Sequence, residues 1–388
     1  MSVTGKVLAS PIADLQRPDK RGEESSELGS ILGLQDSNSL YTFDRLGAGR
    51  FGQTWCVTPK SPDSGIVCLT PFSVAVKILS ADGESDRERF LSECDVLRTL
   101  SRLGDRPSSL PCAEDHFFSD ALSPSPLSFM WVAMTYMSGR PLGTGVGVVS
   151  GICDEESGLS SPRCISRAVQ IAHYNQVAAQ FFAQPEVFDD ASKAFCTRLM
   201  FAQSLSNDML NALTYLHNKT GHVHRDLSPG NILVDPATQS FRLIDLGLVT
   251  PIGVKPSTDM AGTPGYLAPL SAAVEAGPWV DAWSLGLVFW DVITGMVPFV
   301  ADGSPGDAAF GMGAGLRGYM HAKAPLEEPN LSRLRHADDK TPLPELGDHG
   351  ADFMLSLVPR GLLRRTPKEL QRPLDHLCEH PWLHTPAK

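Results

Sequence analysis

The stretch HRDLSPGNIL at positions 224–233 presents an acid and an amide five residues apart, Asp226 and Asn231. A Pro-Gly pair between them interrupts any helix, so the pattern predicts a polar loop just before a strand. A second carboxylate follows at Asp245, in LIDLG. Such oxygens are the hard ligands that Mg²⁺ prefers, and a carboxylate can accept the proton of an attacking hydroxyl. The spacing therefore indicates a base beside metal ligands, with loop capping by Asx turns as the structural alternative.

A glycine motif of the form G-x-G-x-x-G precedes these residues, at Gly47, Gly49 and Gly52. It lies between two strand-like runs rather than at the start of a helix, which argues against a dinucleotide-binding fold. Backbone N–H groups without side chains can close over phosphates, and Phe51 at the tip would shield those phosphates from water. Taken alone, the motif is equally compatible with a flexible hairpin.

A lysine in an apolar strand follows 25 residues after Gly52, at Lys77 in VAVK. Glu93 comes next, on a segment with helical periodicity, at a separation that lets strand and helix pack. An ammonium group held by a carboxylate can bind phosphate oxygens in a fixed position. The structural alternatives are an edge lysine that reaches solvent and a solvated helix face for Glu93, which Glu93 by itself favours.

The elements that must position these groups change character along the chain. From residue 41 to residue 137, strand-like runs surround one amphipathic helix in which Phe90, Leu91, Cys94, Leu97 and Leu100 share a face. A second amphipathic helix is predicted at 201–221, with Gly221 as its C-cap. After about residue 275 the chain reads as helices joined by Pro/Gly loops. The sequence thus predicts a small β-rich lobe followed by a larger helical lobe.

Composition argues against several functional classes. The chain has 388 residues, 42% of them hydrophobic and 20% charged, which is typical of soluble globular proteins. A net charge of −11 argues against a nucleic-acid partner, which requires a basic face. The apolar run 282–300 is interrupted by Asp291, so we predict a buried helix and no membrane span. Eight cysteines without a CxxC pair, and the lack of a signal-peptide pattern, predict reduced thiols in a cytoplasmic protein.

From about Tyr41 to His384 the chain resembles a divergent eukaryotic protein kinase of the Ser/Thr type. The motifs that carry the resemblance occur in the family's order: LGAGRFG, VAVK, HRDLSPGN, DLG, GTPGYLAPL, VDAWSLG and HPWL. The resemblance implies an α+β, bilobal protein-kinase fold, with a small β-rich N-lobe that has one main helix and a larger, mostly α-helical C-lobe. In VDAWSLG it implies that Asp281 braces the backbone of the catalytic loop, residues 224–231.

The expected domain limits follow from this resemblance. Residues 1–40 are predicted to be a flexible N-terminal tail, and 41–384 the kinase domain. Within the domain we expect these parts: an N-lobe at 41–134, a hinge at 135–141, and a C-lobe at 142–384 with an insertion at about 143–192. A surface insertion is favoured over a docking site for an activator kinase or partner.

The resemblance also implies roles for individual residues. It makes Asp226 the catalytic base, Lys77 the anchor of the ATP phosphates and Glu93 the partner of Lys77. Asn231 belongs to the catalytic set, and it binds Mg²⁺ together with Asp245. The residues expected to contact ATP are Gly47, Gly49, Phe51, Gly52, Ala75, Lys77, Met134, Thr135, Tyr136 and Met137.

The implied activity is transfer of the γ-phosphate of Mg·ATP to Ser/Thr hydroxyls of protein substrates. Thr263 in GTPGY is the residue that binds the catalytic Asp in Ser/Thr kinases. Arg225 is of the type that receives a phosphate from the activation segment, for which Thr250, Ser257 and Thr258 are candidates. A small-molecule phosphotransferase is disfavoured, because such enzymes need no peptide-docking segment like GTPGYLAP.

Several positions depart from the family pattern. Ser228 replaces a lysine that contacts the transferred phosphate, and the loss of that contact should slow transfer about 10- to 150-fold. Leu270 replaces the Glu that pairs with a buried Arg, here Arg364 or Arg365. Thr54 and Leu246 are milder changes, at the adenine-packing and DFG positions. Ser228, Leu270 and the insertion leave open a pseudokinase that holds nucleotide or a partner without turnover.

Overall fold

The computed structural model describes residues 41–49, 52–60, 73–80, 84–114, 129–143, 167–184, 191–256, 262–263, 265–268, 275–295, 347–358 and 367–385. The chain divides into two compact units. The first consists of Met1–Gly104 and Pro111–Tyr136, and the second of Asp105–Leu110 and Met137–Lys388. The predicted tail at 1–40 lies outside the described residues.

The secondary structure of the described residues is β-rich at first and mostly helical later. The strands are β1 Tyr41–Gly49, β2 Gly52–Pro59, β3 Val74–Ser80, β4 Phe129–Thr135, β5 Arg140–Pro141, β6 His222–Val223, β7 Ile232–Asp235, β8 Ser240–Leu243 and β9 Thr250–Pro251. The helices are α1 Glu84–Arg102, α2 Arg167–Phe181, α3 Ala191–Thr220, α4 Pro278–Thr294, α5 Gly347–Leu357, α6 Pro367–Leu370, α7 Asp375–Cys378 and α8 Pro381–His384.

The first unit is built on a four-stranded antiparallel sheet in the order β1-β2-β3-β4. Because successive side chains of a strand point to opposite faces, alternate residues bury one face of the sheet. That buried cluster consists of Tyr41, Trp55, Val57, Val74, Val76, Ile78 and Ala133. Lys77 alternates with Val76 and Ile78 along β3, so its side chain leaves the opposite face, where α1 supplies its partner Glu93.

Helix α1 packs through the face predicted from its periodicity. Phe90, Cys94, Leu97 and Leu100 are buried, whereas Leu91 is only half-buried. Acidic residues occupy its first turn and Arg102 its last, which suits the helix dipole. The same buried face carries Glu93, so the alternative of a solvated helix face does not apply to this residue.

Helix α4 forms the centre of the second unit. All 17 of its residues are buried, which confirms the prediction of a buried helix for this apolar run. Pro278 begins the helix, and Gly295 ends it in the left-handed conformation, where its N–H donates to Asp291 O at 2.7 Å. Within the part of the chain that the structure describes, no helix combines the length and apolarity needed to cross a bilayer.

Helices α2 and α3 occupy part of the stretch 143–192, where a surface insertion was expected. Its described C-terminal part is core structure rather than a surface addition: α2 buries Tyr174, Ala178 and Phe181. The Phe181 ring stacks on Phe241 of β8, with 4.8 Å between the ring centroids. Helix α3 begins at Ala191, ten residues before the predicted start at 201. Residues 191–200 have mixed polarity, so their sequence did not indicate a helix.

Short strands carry the loops of the second unit. Strand β7 pairs with β5 and with β8, and β6 pairs with β9. A 3-10 turn at Pro229–Asn231 leads directly into β7. The catalytic loop therefore lies between β6 and β7, and the segment that contains Asp245 lies between β8 and β9.

Candidate active site

The first unit holds a buried ion pair between strand and helix. Lys77 Nζ lies 2.9 Å from Glu93 Oε1 and 2.8 Å from Oε2. Lys77 is 5% exposed and Glu93 is 2% exposed, so water screens the pair little. The next residue, Cys94, has its thiol pKa raised to about 12 by burial and by the charge of Glu93, which keeps it a thiol. This geometry fixes the ammonium group of Lys77 on the face of β3 opposite the apolar cluster.

The glycine motif lies at the turn between β1 and β2. Gly49 pairs with Gly52, and Gly47 lies in β1. Gly52 has a φ of +112°, and a Cβ there would come within 2.1 Å of the Ile78 carbonyl oxygen. Only glycine fits this position, because the backbone of β2 passes directly against β3. Phe51 lies outside the described residues.

Some of the residues expected to contact ATP lie on β3, on β4 and directly after β4. Ala75 pairs with Met134 across these strands, and both side chains are buried. The N–H of Thr135 donates to Cys112 O at 2.9 Å, which anchors the end of β4. Tyr136 is 37% exposed and ends the first unit, whereas Met137 begins the second stretch of the other unit.

The predicted catalytic loop, in the second unit, is held by a buried carboxylate on α4. Asp281 accepts hydrogen bonds from the backbone N–H groups of His224 at 2.7 Å and Arg225 at 2.8 Å. Its Oδ2 also lies 2.7 Å from His217 Nε2. Burial acts to raise the pKa of Asp281, but the hydrogen bond and charge of His217 lower it below its usual value. The expected brace is confirmed, and it holds Arg225 at a strained φ of +68°.

Asp226 lies between two donors from different parts of the chain. Its Oδ1 accepts from the N–H and the Oγ1 of Thr263, both at 2.7 Å. Asn231 Nδ2 donates to its Oδ2 at 2.9 Å and to its backbone O at 2.8 Å. Burial raises the pKa of Asp226, the Thr263 hydrogen bond opposes this shift, and the charge of Asp245 adds to it. The carboxylate is thus fixed in orientation and made more basic.

Asn231 and Asp245 are brought together by the hairpin of β7 and β8. Ile232 pairs with Leu243, and Ile244 N donates to Asn231 O at 2.9 Å. Asp245 has a φ of +63°, and its Oδ1 accepts from Gly247 N at 3.1 Å. A non-glycine residue in this conformation is strained, as functional residues often are.

The donor set around the hairpin suits Mg²⁺. Asn231 uses Nδ2 for Asp226, so Oδ1 is the atom that would bind a cation. Asp245 supplies a carboxylate, and its charge already acts on Asp226. A divalent cation would relieve the repulsion between these two acids. The described residues contain no cluster of three or more His, Cys, Asp or Glu side chains that could hold a metal, so other oxygens must complete the coordination.

Ser228 lies beside Asp226 rather than in solvent. Ser228 is 3% exposed, and its Oγ lies 3.3 Å from Thr263 Oγ1, whose single hydroxyl proton is donated to Asp226. Thr263 therefore faces both a carboxylate and a hydroxyl. Gly262, with a φ of +142°, makes the close approach possible, because a Cβ there would lie 3.1 Å from Arg225 O. This contact of Ser228 was missed by sequence reasoning, which considered only the absent lysine.

Thr250 is a poor candidate for phosphorylation in this conformation. It is buried in β9, where its Oγ1 accepts from Arg225 Nη1 at 3.0 Å and donates to Leu248 O at 3.2 Å. A kinase could not reach this hydroxyl without opening the strand. The other candidates and the A-P-E departure lie outside the described residues: Ser257, Thr258, Leu270, Arg364 and Arg365.

Comparisons with known proteins show which family the chain belongs to. The protein kinase domain model matches residues 168–383, more than half of the chain. Calcium-dependent protein kinase 13 of Oryza sativa subsp. japonica is 24% identical over 374 residues, covering 94% of this chain and 51% of its own length. Serine/threonine-protein kinase PAK 1 of Mus musculus is 26% identical over 291 residues, covering 74% and 41%.

A shorter and stronger match is sperm motility kinase 2B of Mus musculus, which is 41% identical over 105 residues, 26% of this chain and 21% of the relative. This chain therefore spans about half the length, or less, of these curated relatives. The similarity extends beyond single motifs, and the fold is the bilobal α+β fold expected from the sequence. The chain belongs to the protein kinase domain family.

Proposed function

We propose that this protein transfers the γ-phosphate of Mg·ATP to Ser or Thr hydroxyls of protein substrates. The observation that carries the proposal is the pair of contacts on Asp226. One oxygen is held by Thr263 and the other by Asn231. A base that must orient an acceptor hydroxyl needs this fixed geometry.

The side chains of this protein divide the work as follows. Asp226 accepts the proton of the acceptor hydroxyl, in the orientation that Thr263 and Asn231 fix. Asn231 and Asp245 would hold Mg²⁺, which would supply positive charge beside the transferred phosphate. Lys77, oriented by Glu93, binds phosphate oxygens of ATP. The glycine motif, Ala75 and residues 134–137 are proposed to contact the rest of the nucleotide, within a kinase domain at 41–384.

Thr263 supports Ser/Thr specificity. Its hydroxyl bonds directly to the proposed base, and its backbone N–H does the same. The segment that receives the acceptor is thereby tied to the catalytic loop.

A second candidate function is that of a pseudokinase, favoured by Ser228. The family's lysine at this position would contact the transferred phosphate, whereas the Ser228 hydroxyl bonds to Thr263. We place slow catalysis first, because both proposed metal ligands and the base are present and the base is oriented.

The test is a radiolabel-transfer assay with ATP and Mg²⁺ on a generic basic protein and on peptide arrays. Lys77→Met and Asp226→Asn variants are the controls. Mass spectrometry of residues 248–261 detects any phosphorylation of the activation segment. Transfer that requires both residues supports the kinase. Nucleotide binding without any transfer by the wild-type protein would establish the pseudokinase instead.

A further inference from the structure

A buried carboxylate on α4 receives two tyrosine hydroxyls from different parts of the second unit. Tyr174 of α2 donates to Asp291 Oδ2 at 2.5 Å, and Tyr266 donates to the same oxygen at 2.8 Å. All three residues are almost completely buried. Gln170 donates in turn to the Tyr174 hydroxyl at 3.0 Å, so the tyrosine lies within a chain of donors. Sequence reasoning treated Asp291 only as an interruption of an apolar run.

The protonation states favour these bonds. Burial raises the pKa values of both tyrosines well above the usual value, so both hydroxyls keep their protons. Burial also raises the pKa of Asp291, and the hydrogen bonds from Tyr174 and Tyr266 act against that shift. A buried carboxylate without its donors is costly. The position of each tyrosine is therefore coupled to that of the other through Asp291.

Tyr266 connects this cluster to the catalytic loop. We define the acceptor turn as residues 262–268, described apart from residue 264. Tyr266 N donates to Thr263 O at 3.2 Å, and Ser284 Oγ of α4 donates to Tyr266 O at 2.8 Å. Thr263 then donates to Asp226 Oδ1. Successive hydrogen bonds thus lead from α2 through α4 and the acceptor turn to the proposed base.

We infer that Tyr174 is a positioning residue that orients the acceptor turn through Asp291 and Tyr266. This assigns a role in acceptor positioning to a helix within the stretch where the sequence predicted an insertion. The inference deepens the proposed function and rests on it for its catalytic consequence. Its structural consequence, an ordered acceptor turn, does not depend on catalysis.

The alternative is that Tyr174 only fills the core. Tyr174→Phe separates the two roles, because it keeps the ring and removes the hydroxyl that Asp291 accepts. Tyr215→Phe is the matched control: its hydroxyl also donates to an aspartate, Asp105 at 2.7 Å, but at the surface of the same unit. Thermal melting of both variants verifies that they fold.

The first measurement is hydrogen exchange of a peptide that covers 262–268. We expect at least about 10-fold faster exchange in Tyr174→Phe, equivalent to about 1.4 kcal/mol of local opening free energy. Tyr215→Phe should exchange like the wild-type protein. Equal exchange in all three proteins overturns the inference, whether or not the protein is a kinase.

The second measurement is steady-state kinetics with the best array peptide. Tyr174→Phe should lower kcat/KM for the peptide about 10-fold while KM for ATP stays unchanged, a split that general loss of stability would not produce. Tyr266→Phe should have a similar effect, and the double variant should lose less than the product of the two, because both hydroxyls share one acceptor. If Tyr174→Phe exchanges faster but the wild-type protein transfers no phosphate, the positioning role is supported and only the proposed function is refuted.

Discussion

Thr263→Val tests the geometry of the proposed base most sharply. Valine keeps the shape of threonine and removes the hydroxyl, while the backbone N–H of residue 263 can still donate to Asp226 Oδ1. A hydrogen bond to a charged group contributes about 1.5–3 kcal/mol, which corresponds to about 10- to 150-fold in rate if it acts fully in the transition state. Because one of the two donors remains, we expect the lower part of that range.

The assay is kcat/KM for a peptide substrate at saturating Mg·ATP, measured across pH. The Thr263 hydrogen bond lowers the pKa of Asp226, which burial raises above its ordinary value of 3.8. A base must be deprotonated, so activity falls as the pH drops through this raised pKa. Removing the hydroxyl raises the pKa further, and the acidic limb of the profile should move to higher pH.

Thr263→Ser is the matched control, since it keeps the hydroxyl and should retain most of the activity. If Thr263→Val matched the wild-type protein in both rate and pH profile, the hydroxyl would have no part in orienting the base. Thermal melting shows whether a loss of activity in Thr263→Val comes from unfolding. The lost contact lies at the site and should lower the melting temperature only modestly.

Three further changes test individual contacts by urea unfolding. Glu93→Leu leaves a buried ammonium and should cost about 3–5 kcal/mol, whereas Glu88→Leu on the exposed face of α1 should cost little; equal losses would contradict a buried pair. Gly52→Ala should cost about 1–3 kcal/mol from its positive φ and its contact with Ile78 O, while Gly47→Ala, with open space around its Cβ, should cost less than Gly52→Ala. Thr250→Val should lower the free energy of unfolding by about 1.5–3 kcal/mol, because it removes an acceptor from the Arg225 guanidinium. Thr99→Val on α1 serves as its control. A smaller loss for Thr250→Val than for Thr99→Val would refute the importance of the contact with Arg225.

Local patterns were sufficient where one residue type decides the structure. The periodicity of α1 predicted its buried face, and the interrupted apolar run predicted the buried helix α4. The Pro-Gly pair predicted the loop before β7. Each of these follows from hydrophobic burial or backbone sterics within a short window, which is information that a single segment carries.

Partners across long separations were not predictable in the same way. Whether Glu93 faces solvent or Lys77 depends on how α1 packs on β3, so their pairing was expected from the family resemblance and not from Glu93 by itself. Thr250 was expected to be a candidate for phosphorylation, but β9 pairs with β6 and buries it against Arg225. Buried polar contacts depend on tertiary packing. The sequence signal for such a buried polar contact was a polar residue inside an apolar run, such as Asp291.

The beginning of α3 shows a third reason for error. Its first turns bury Arg198, whose guanidinium donates to Asn175 Oδ1 at 2.5 Å and to Ile293 O at 3.3 Å. A buried arginine breaks the simple apolar pattern, so the helix was predicted to begin later, at 201. Burial of a charged side chain becomes understandable only when its acceptors on α2 and α4 are known.

The most direct test of the account is Mg²⁺-dependent phosphate transfer by the wild-type protein, Asp226→Asn and Asp105→Asn, with nucleotide binding measured on each. Asp105 is an exposed carboxylate outside the site and serves as the matched acid. We predict transfer by the wild-type protein and Asp105→Asn, and loss of transfer without loss of nucleotide binding in Asp226→Asn. Equal transfer by Asp226→Asn, or none by a wild-type protein that binds nucleotide, would contradict it.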